Sequence, residues 1–185
     1  MLSWFAFVVV FVVFLTRQEG PSAPDRKRER TSIVGIALQG VSYAVVWSVR
    51  RPPFTAIVST HKTVEIAAAL VTMAMAIGSV WFVSAAVWTL GKQWSLAARV
   101  LEGHKLITAG PYSVVRNPIY TGMFGMLLAT GLAISHWIGL LTAIIVFAIG
   151  TVIRVHSEEK LLRGAFGEEF DAYARKVPAV VPFLF

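Results

Sequence analysis

Along the chain, uncharged apolar stretches alternate with short connections rich in Lys and Arg. The stretches run 2–16, 31–49, 66–90 and 117–153, the last bounded by Arg116 and Arg154. A helix rises about 1.5 Å per residue against a hydrocarbon layer roughly 30 Å thick, so one crossing needs ~20 residues. The last stretch is too long for one crossing and divides into two short ones, 118–134 and 137–153, at the polar pair Ser135 and His136. The pattern predicts an all-α, polytopic integral membrane protein with about five transmembrane helices. The first stretch has the length of a signal peptide but lacks a basic n-region and a small-residue cleavage pattern, so it is expected to stay as an anchor.

The basic residues fall unevenly between the two sides that five crossings define. Connections 17–30 and 91–117 and the tail from Arg154 hold fourteen Lys and Arg, against Arg50, Arg51 and Lys62 on the other side. The positive-inside rule then places the N-terminus outside and the C-terminus in the cytoplasm, in what is expected to be a prokaryotic inner membrane. Two cytoplasmic pieces, 91–103 and 158–177, carry apolar residues at helical spacing and are expected to be interfacial helices. Connection 17–30, with Gly20, Pro21, Pro24 and mixed charge, is expected to be a flexible basic linker near anionic lipid headgroups.

Composition sharpens this. The chain is 56% hydrophobic and 15% charged, where soluble domains average roughly 45–50% and about 25%. With no Cys it has neither a disulfide framework nor a thiolate site, and no metal centre is expected. A net charge of +7 would raise nucleic acid as a partner, but the charge sits in the connections between spans, so no nucleic acid is expected. One membrane domain is expected over 1–185, with three helices in 1–90 and the remaining elements in 91–185.

Polar chemistry gathers in 103–122, which holds Gly103, His104, Gly110, Pro111, Tyr112, Arg116, Asn117, Pro118 and Tyr120 just before a span. Gly110-Pro111 and Asn117-Pro118 signal turns, and irregular backbone at a membrane face is expected to offer N–H groups to an anionic ligand. A second cluster, Arg154, His156, Glu158 and Glu159, follows the last span, with Arg154 and Glu158 spaced to share a helix face.

In order and spacing, these clusters resemble the isoprenylcysteine carboxyl methyltransferase family, part of a wider group of small membrane methyltransferases that includes phospholipid N-methyltransferases. The matching residues are Gly103-His104-Lys105-Leu106, Gly110-Pro111-Tyr112, Arg116-Asn117-Pro118-Ile119-Tyr120, Glu158-Glu159-Lys160-Leu161-Leu162, Phe166-Gly167-Glu168-Glu169-Phe170 and the Lys176-Val177-Pro178 ending. The resemblance implies S-adenosyl-L-methionine as methyl donor. His104, Lys105, Leu106, Ile107, Tyr112, Asn117, Pro118, Ile119 and Tyr120 would line its site, and Glu158 would contact it. Arg154 would face the carboxylate of a lipophilic acceptor, with Arg116 a further candidate for anion recognition. Asn117 stands where the eukaryotic-type branch has His, so no proton transfer is expected there.

The chemistry fits without a dedicated base, since a carboxylate acceptor needs none, whereas an amine would require Glu158, Glu159 or His104 to take a proton. Positioning and exclusion of water then carry the reaction, together about 7–11 kcal/mol of the barrier. The alternatives are a phospholipid N-methyltransferase and a membrane reductase of related architecture. The second is disfavoured because 103–122 has few cations for the phosphates of a nicotinamide cofactor. Transport is disfavoured because the spans contain almost no ionisable residues. Glu159, Glu168 and Glu169 are expected on solvated helix faces.

Overall fold

The computed structural model describes residues 2–16, 25–28, 31–52, 55–56, 61–91, 99–101 and 105–181. Its elements, in chain order, are α1 (Leu2–Thr16), β1 (Asp25–Arg28), α2 (Ser32–Ser48), α3 (Lys62–Leu90), β2 (Arg99–Leu101), a 3-10 turn (Gly110–Ser113), α4 (Pro118–Ile134), α5 (Trp137–Phe166) and α6 (Glu168–Ala174). The helical class expected from the sequence holds. Two helices, α3 and α5, are long and apolar enough to cross a membrane, while α1, α2 and α4 are shorter apolar helices.

The termini of these helices follow from local chemistry. Pro118 opens α4, where its missing N–H costs nothing. His136 caps α5 by accepting from the Ile138 N–H. Gly91 and Gly167, at φ 54° and 53°, end α3 and α5 in a backbone conformation that a Cβ would strain.

Two interfacial expectations are corrected. Residues 99–101 are not helical: they form β2, antiparallel to β1 with Arg28 opposite Arg99 and Lys27 opposite Val100. Cross-strand bonding takes the place of helical bonding in this short piece, and 25–28 is accordingly a strand within the expected linker. The remainder of 91–103, apart from Gly91, lies outside the described residues, as do 17–24 and 29–30 of the linker. The segment 158–177 is not one surface helix but the end of α5 and the whole of α6, broken at Gly167. Its apolar stripe packs inward: Leu161 and Phe170 are buried, Phe170 completely.

The bundle is built on two tight helix pairs, α2 with α5 and α3 with α4. Within lipid there is little hydrophobic drive between helices, so close approach depends on small residues. A Cβ on Gly35 would run into the Arg154 side chain and the Gly150 carbonyl, and one on Gly150 would lie 2.9 Å from the Gly35 carbonyl oxygen. Gly122 and Gly125 play the same part in α4, against Val83 and Ser79 of α3. Two cores fill the spaces between, one around Phe7, Val83, Val87 and Met126 and one around Val46, Leu127, Ala143 and Phe147. Trp4 pins α1 by donating to Thr130 Oγ1 at 2.9 Å and meeting Tyr43 edge to face at 5.2 Å. Large apolar side chains such as Leu70, Ile77, Trp81 and Val152 point outward, as a lipid-facing surface requires.

Candidate active site

The site forms where the backbone leaves the bundle. Gly110 adopts φ +60°, which lets Pro111 start the 3-10 turn and brings the turn against Thr89 at the end of α3. Tyr112 is thereby buried, and its carbonyl accepts a hydrogen bond from Tyr173 Oη at 2.6 Å. From there the chain runs beside its own C-terminal tail. The Arg116 N–H donates to Pro178 O at 2.8 Å, the Asn117 N–H to Ala179 O at 2.9 Å, and Thr121 Oγ1 to Val180 O at 2.5 Å. Asn117 Nδ2 adds a further bond to Ala179 O at 3.0 Å. The N–H groups of 116 and 117, expected to serve an anionic ligand, are thus used by the tail.

Between this seam and α5 lies a cleft that opens to solvent. Its loop wall comprises Lys105, Leu106, Ile107, Tyr112, Arg116 and Asn117; Leu90 of α3, Glu159 and Leu162 of α5, and Phe170 and Tyr173 of α6 complete it. Five of the residues expected around the methyl donor therefore share one cavity. His104 lies outside the described residues. Pro118, Ile119, Tyr120 and Glu158 are not among the described lining residues.

Two arginine–glutamate pairs sit on successive residues of α5. Arg116 Nε bonds Glu159 Oε1 at 2.9 Å, with both side chains only 14% exposed, and Arg116 Nη1 reaches the carbonyls of Ala174, at 2.8 Å, and Val177. Glu159 is therefore a cleft residue and not the solvated position expected from the sequence.

The second pair is Arg154 with Glu158. Arg154 is almost wholly buried, its Nη2 lies 3.2 Å from Glu158 Oε1, and its guanidinium covers the Tyr120 ring at 5.0 Å. Tyr120 Oη donates to the same carboxylate oxygen. A cation, a carboxylate and a phenol thus form one closed group beside Gly35 of α2.

Electrostatics in the cleft keep the phenols neutral. Burial pushes the Tyr112 hydroxyl well above its ordinary range, with the Glu158 charge adding to the effect. Burial also moves Tyr173 up to about 12; Arg116 works against this and Glu159 with it. Both remain hydrogen-bond donors at any physiological pH. Among the described residues no group of three or more His, Asp or Glu could share a metal ion.

An apolar helical bundle that ends in a polar cleft defines the class of protein, a membrane-type helical bundle with a cleft at one end. Residues 67–169 match the family model described as phospholipid methyltransferase, more than half the chain, and the chain belongs to that family. It is similar to "Protein-S-isoprenylcysteine O-methyltransferase B" of Arabidopsis thaliana, 31% identical over 101 residues, covering 54% of this chain and 51% of the relative. The "Protein-S-isoprenylcysteine O-methyltransferase" of Schizosaccharomyces pombe is 30% identical over 103 residues, 55% of this chain and 44% of the relative. "Nickel-cobalt-cadmium resistance protein NccN" of Alcaligenes xylosoxydans xylosoxydans is 37% identical over 100 residues, 52% and 45% of the two. The chain spans about half the length of these curated relatives.

Proposed function

We propose that this chain is an integral-membrane methyltransferase that takes S-adenosylmethionine in the cleft and methylates a lipophilic acceptor, most readily the carboxylate of an isoprenylcysteine-type molecule. In this reading α1 to α5 are five crossings, the N-terminus lies outside, and the cleft faces the cytoplasm of a prokaryotic inner membrane. The core of the activity falls in 91–185, and membrane lipids surround the rest.

The observation that carries the proposal is the pairing of two adjacent glutamates with two different arginines at the mouth of the bundle. It puts a polar cleft and a buried cation on neighbouring faces of one helix. A donor with a sulfonium, an amino-acid end, ribose hydroxyls and an adenine needs a carboxylate, hydrogen-bond donors and apolar walls. Glu159, the Lys105 ammonium, the Tyr112 hydroxyl, and the Leu106, Ile107, Leu162 and Phe170 side chains provide that set. Lys105, Leu106, Ile107, Tyr112 and Asn117 would line the donor. His104, Pro118, Ile119 and Tyr120 are proposed to complete its site, with Glu158 reaching it from α5. When bound, the donor supplies an electrophilic methyl group.

The protein's own residues then orient and exclude water. Arg154 would hold an acceptor carboxylate by paired charge-assisted bonds, exchanging part of its contact with Glu158 for the incoming anion. A carboxylate acceptor would already carry the lone pair for the new C–O bond, with the thioether as the leaving group, so no proton would have to move. Arg116 is the further cation on the cleft lining. An amine acceptor, as in phospholipid N-methylation, would need a base; of the candidates among the described residues, Glu158 already accepts from Tyr120 and Arg154, and Glu159 from Arg116. This favours the carboxylate. Family membership speaks against the reductase alternative. Isothermal titration with S-adenosylhomocysteine tests the proposal: saturable binding supports it, and no heat at millimolar ligand overturns it.

A further inference from the structure

The outer wall of the cleft is not part of the helical bundle. Phe170 and Tyr173 belong to α6, a seven-residue helix beyond the Gly167 break. A helix that short has little stability of its own, so its position depends on what ties it down. On its exposed side Arg163 meets Asp171 at 2.7 Å with both side chains about half exposed, and such a pair contributes little. The stronger ties run to the start of α4, and Arg116 is at their centre. Its Nε holds Glu159 of α5, its Nη1 holds the carbonyls of Ala174 and Val177, and its N–H holds Pro178. One residue thus joins the loop, α5 and the tail. Its ion pair is shielded from water, where charge-assisted bonds are strongest. Arg116 and Glu159 also line the cleft, so whatever occupies the cleft touches the fastening as well as the wall.

We propose that Arg116 is a positioning residue: with Glu159 it latches residues 174–180 against the start of α4 and so sets α6 as a wall of the cleft. Arg154 is then the cation left to the acceptor, and Arg116 acts through Phe170 and Tyr173. The inference rests on the methyl-donor reading only for the choice of ligand in the test.

Arg175 and Lys176 are exposed within the latched segment and provide a local probe, because trypsin cuts there only when the tail comes free. The experiment uses the full chain in detergent: wild type, Arg116→Ala, Arg116→Lys and Glu159→Gln. Cleavage after residues 175 and 176 is followed by intact mass, and S-adenosylhomocysteine affinity by titration. Losing a shielded, charge-assisted set of bonds should speed tail cleavage about tenfold in Arg116→Ala and weaken ligand binding by a similar factor. Arg116→Lys should recover part of both, since a point charge keeps Glu159 but not the fork. Glu159→Gln should shift both in the same direction by less. Unchanged tail cleavage in Arg116→Ala overturns the latch, and faster cleavage with unchanged ligand affinity overturns its control of the wall. If Arg116→Ala does not fold, Glu159→Gln decides the matter by the same two readings. A wild type that binds no S-adenosylhomocysteine, with tail cleavage still faster in Arg116→Ala, removes the donor reading and supports the latch.

Discussion

Glu158 and Glu159 are consecutive in α5, yet each is bonded to a different arginine: Glu158 to Arg154 one turn earlier on the same helix, Glu159 to Arg116 in the loop before α4. The helix turns about 100° between them. One carboxylate therefore meets Tyr120 of α4 and the buried Arg154, and the other faces the cleft. The two pairs have different neighbours and different consequences when broken.

Removing Glu158 would leave Arg154 as a buried cation that has lost its carboxylate. Such a loss costs about 3–5 kcal/mol in a fully buried setting, and the 26% exposure of Glu158 places the expected cost at or below the low end. Glu158→Ala is expected to lower the thermal midpoint in detergent and abolish transfer. Arg154→Met combined with Glu158→Ala should regain most of the stability and none of the activity. A double variant as unstable as the single one would show that the charge pair is not the source of the loss.

The Arg154 side chain owes its place to a glycine on another helix. In Gly35→Ala, a Cβ meets Arg154 and the Gly150 carbonyl, and overpacking of this kind costs about 1–3 kcal/mol. Gly40, on the same helix, is the control: a Cβ there would have no neighbour within 4 Å among the described residues. Gly40→Ala should be neutral or stabilising by up to about 1 kcal/mol, from helix propensity. Equal melting temperatures for the two variants would contradict the packing described for α2 and α5.

The Tyr173 phenol has its folded-state pKa moved up to about 12 from the ordinary 10.0. The protonated form is the one that folding favours. Its contribution is therefore complete below pH 10 and is lost as pH rises through about 12. Unfolding measured across this window should show stability falling with pH. In Tyr173→Phe the fall should be shallower, with a constant loss of about 1 kcal/mol at neutral pH from the missing bond to Tyr112 O. Absorbance titration of the phenolates would reveal an early-ionising Tyr173 if this is incorrect.

The proposed topology of five crossings would put the α4–α5 turn and α6 on opposite sides of the membrane. Because the chain has no Cys, single cysteines can be introduced without background. His136→Cys is expected to react with a membrane-impermeant maleimide from outside in intact cells, and Glu168→Cys only after the cells are opened. Labelling of both from the same side would reject the proposed topology.

Much of this protein is legible as a pattern. Helices 118–134 and 137–166 do part at Ser135 and His136, because lipid demands uninterrupted apolar helix and a polar pair marks where it stops. Five residues of the cleft, Lys105, Leu106, Ile107, Tyr112 and Asn117, can be identified by motif. Glu159 reads as solvated in the sequence, because its partner Arg116 lies in a distant loop and no local spacing reveals the pair. The same reason hides the strand at 99–101: its partner is 25–28, and pairing across such a separation leaves no period to read.

The sequence alone determined the alternation of apolar and basic stretches, the helical class and the grouping of polar residues near the last two helices, because these depend on transfer to lipid and on local backbone preference. Only the tertiary structure decided which carboxylate meets which arginine, that the N–H groups of 116 and 117 bond the tail, and that Gly35 makes room for Arg154. Those outcomes depend on directions and distances between elements far apart in the chain, and hydrogen bonds and close packing distinguish partners at the scale of an ångström.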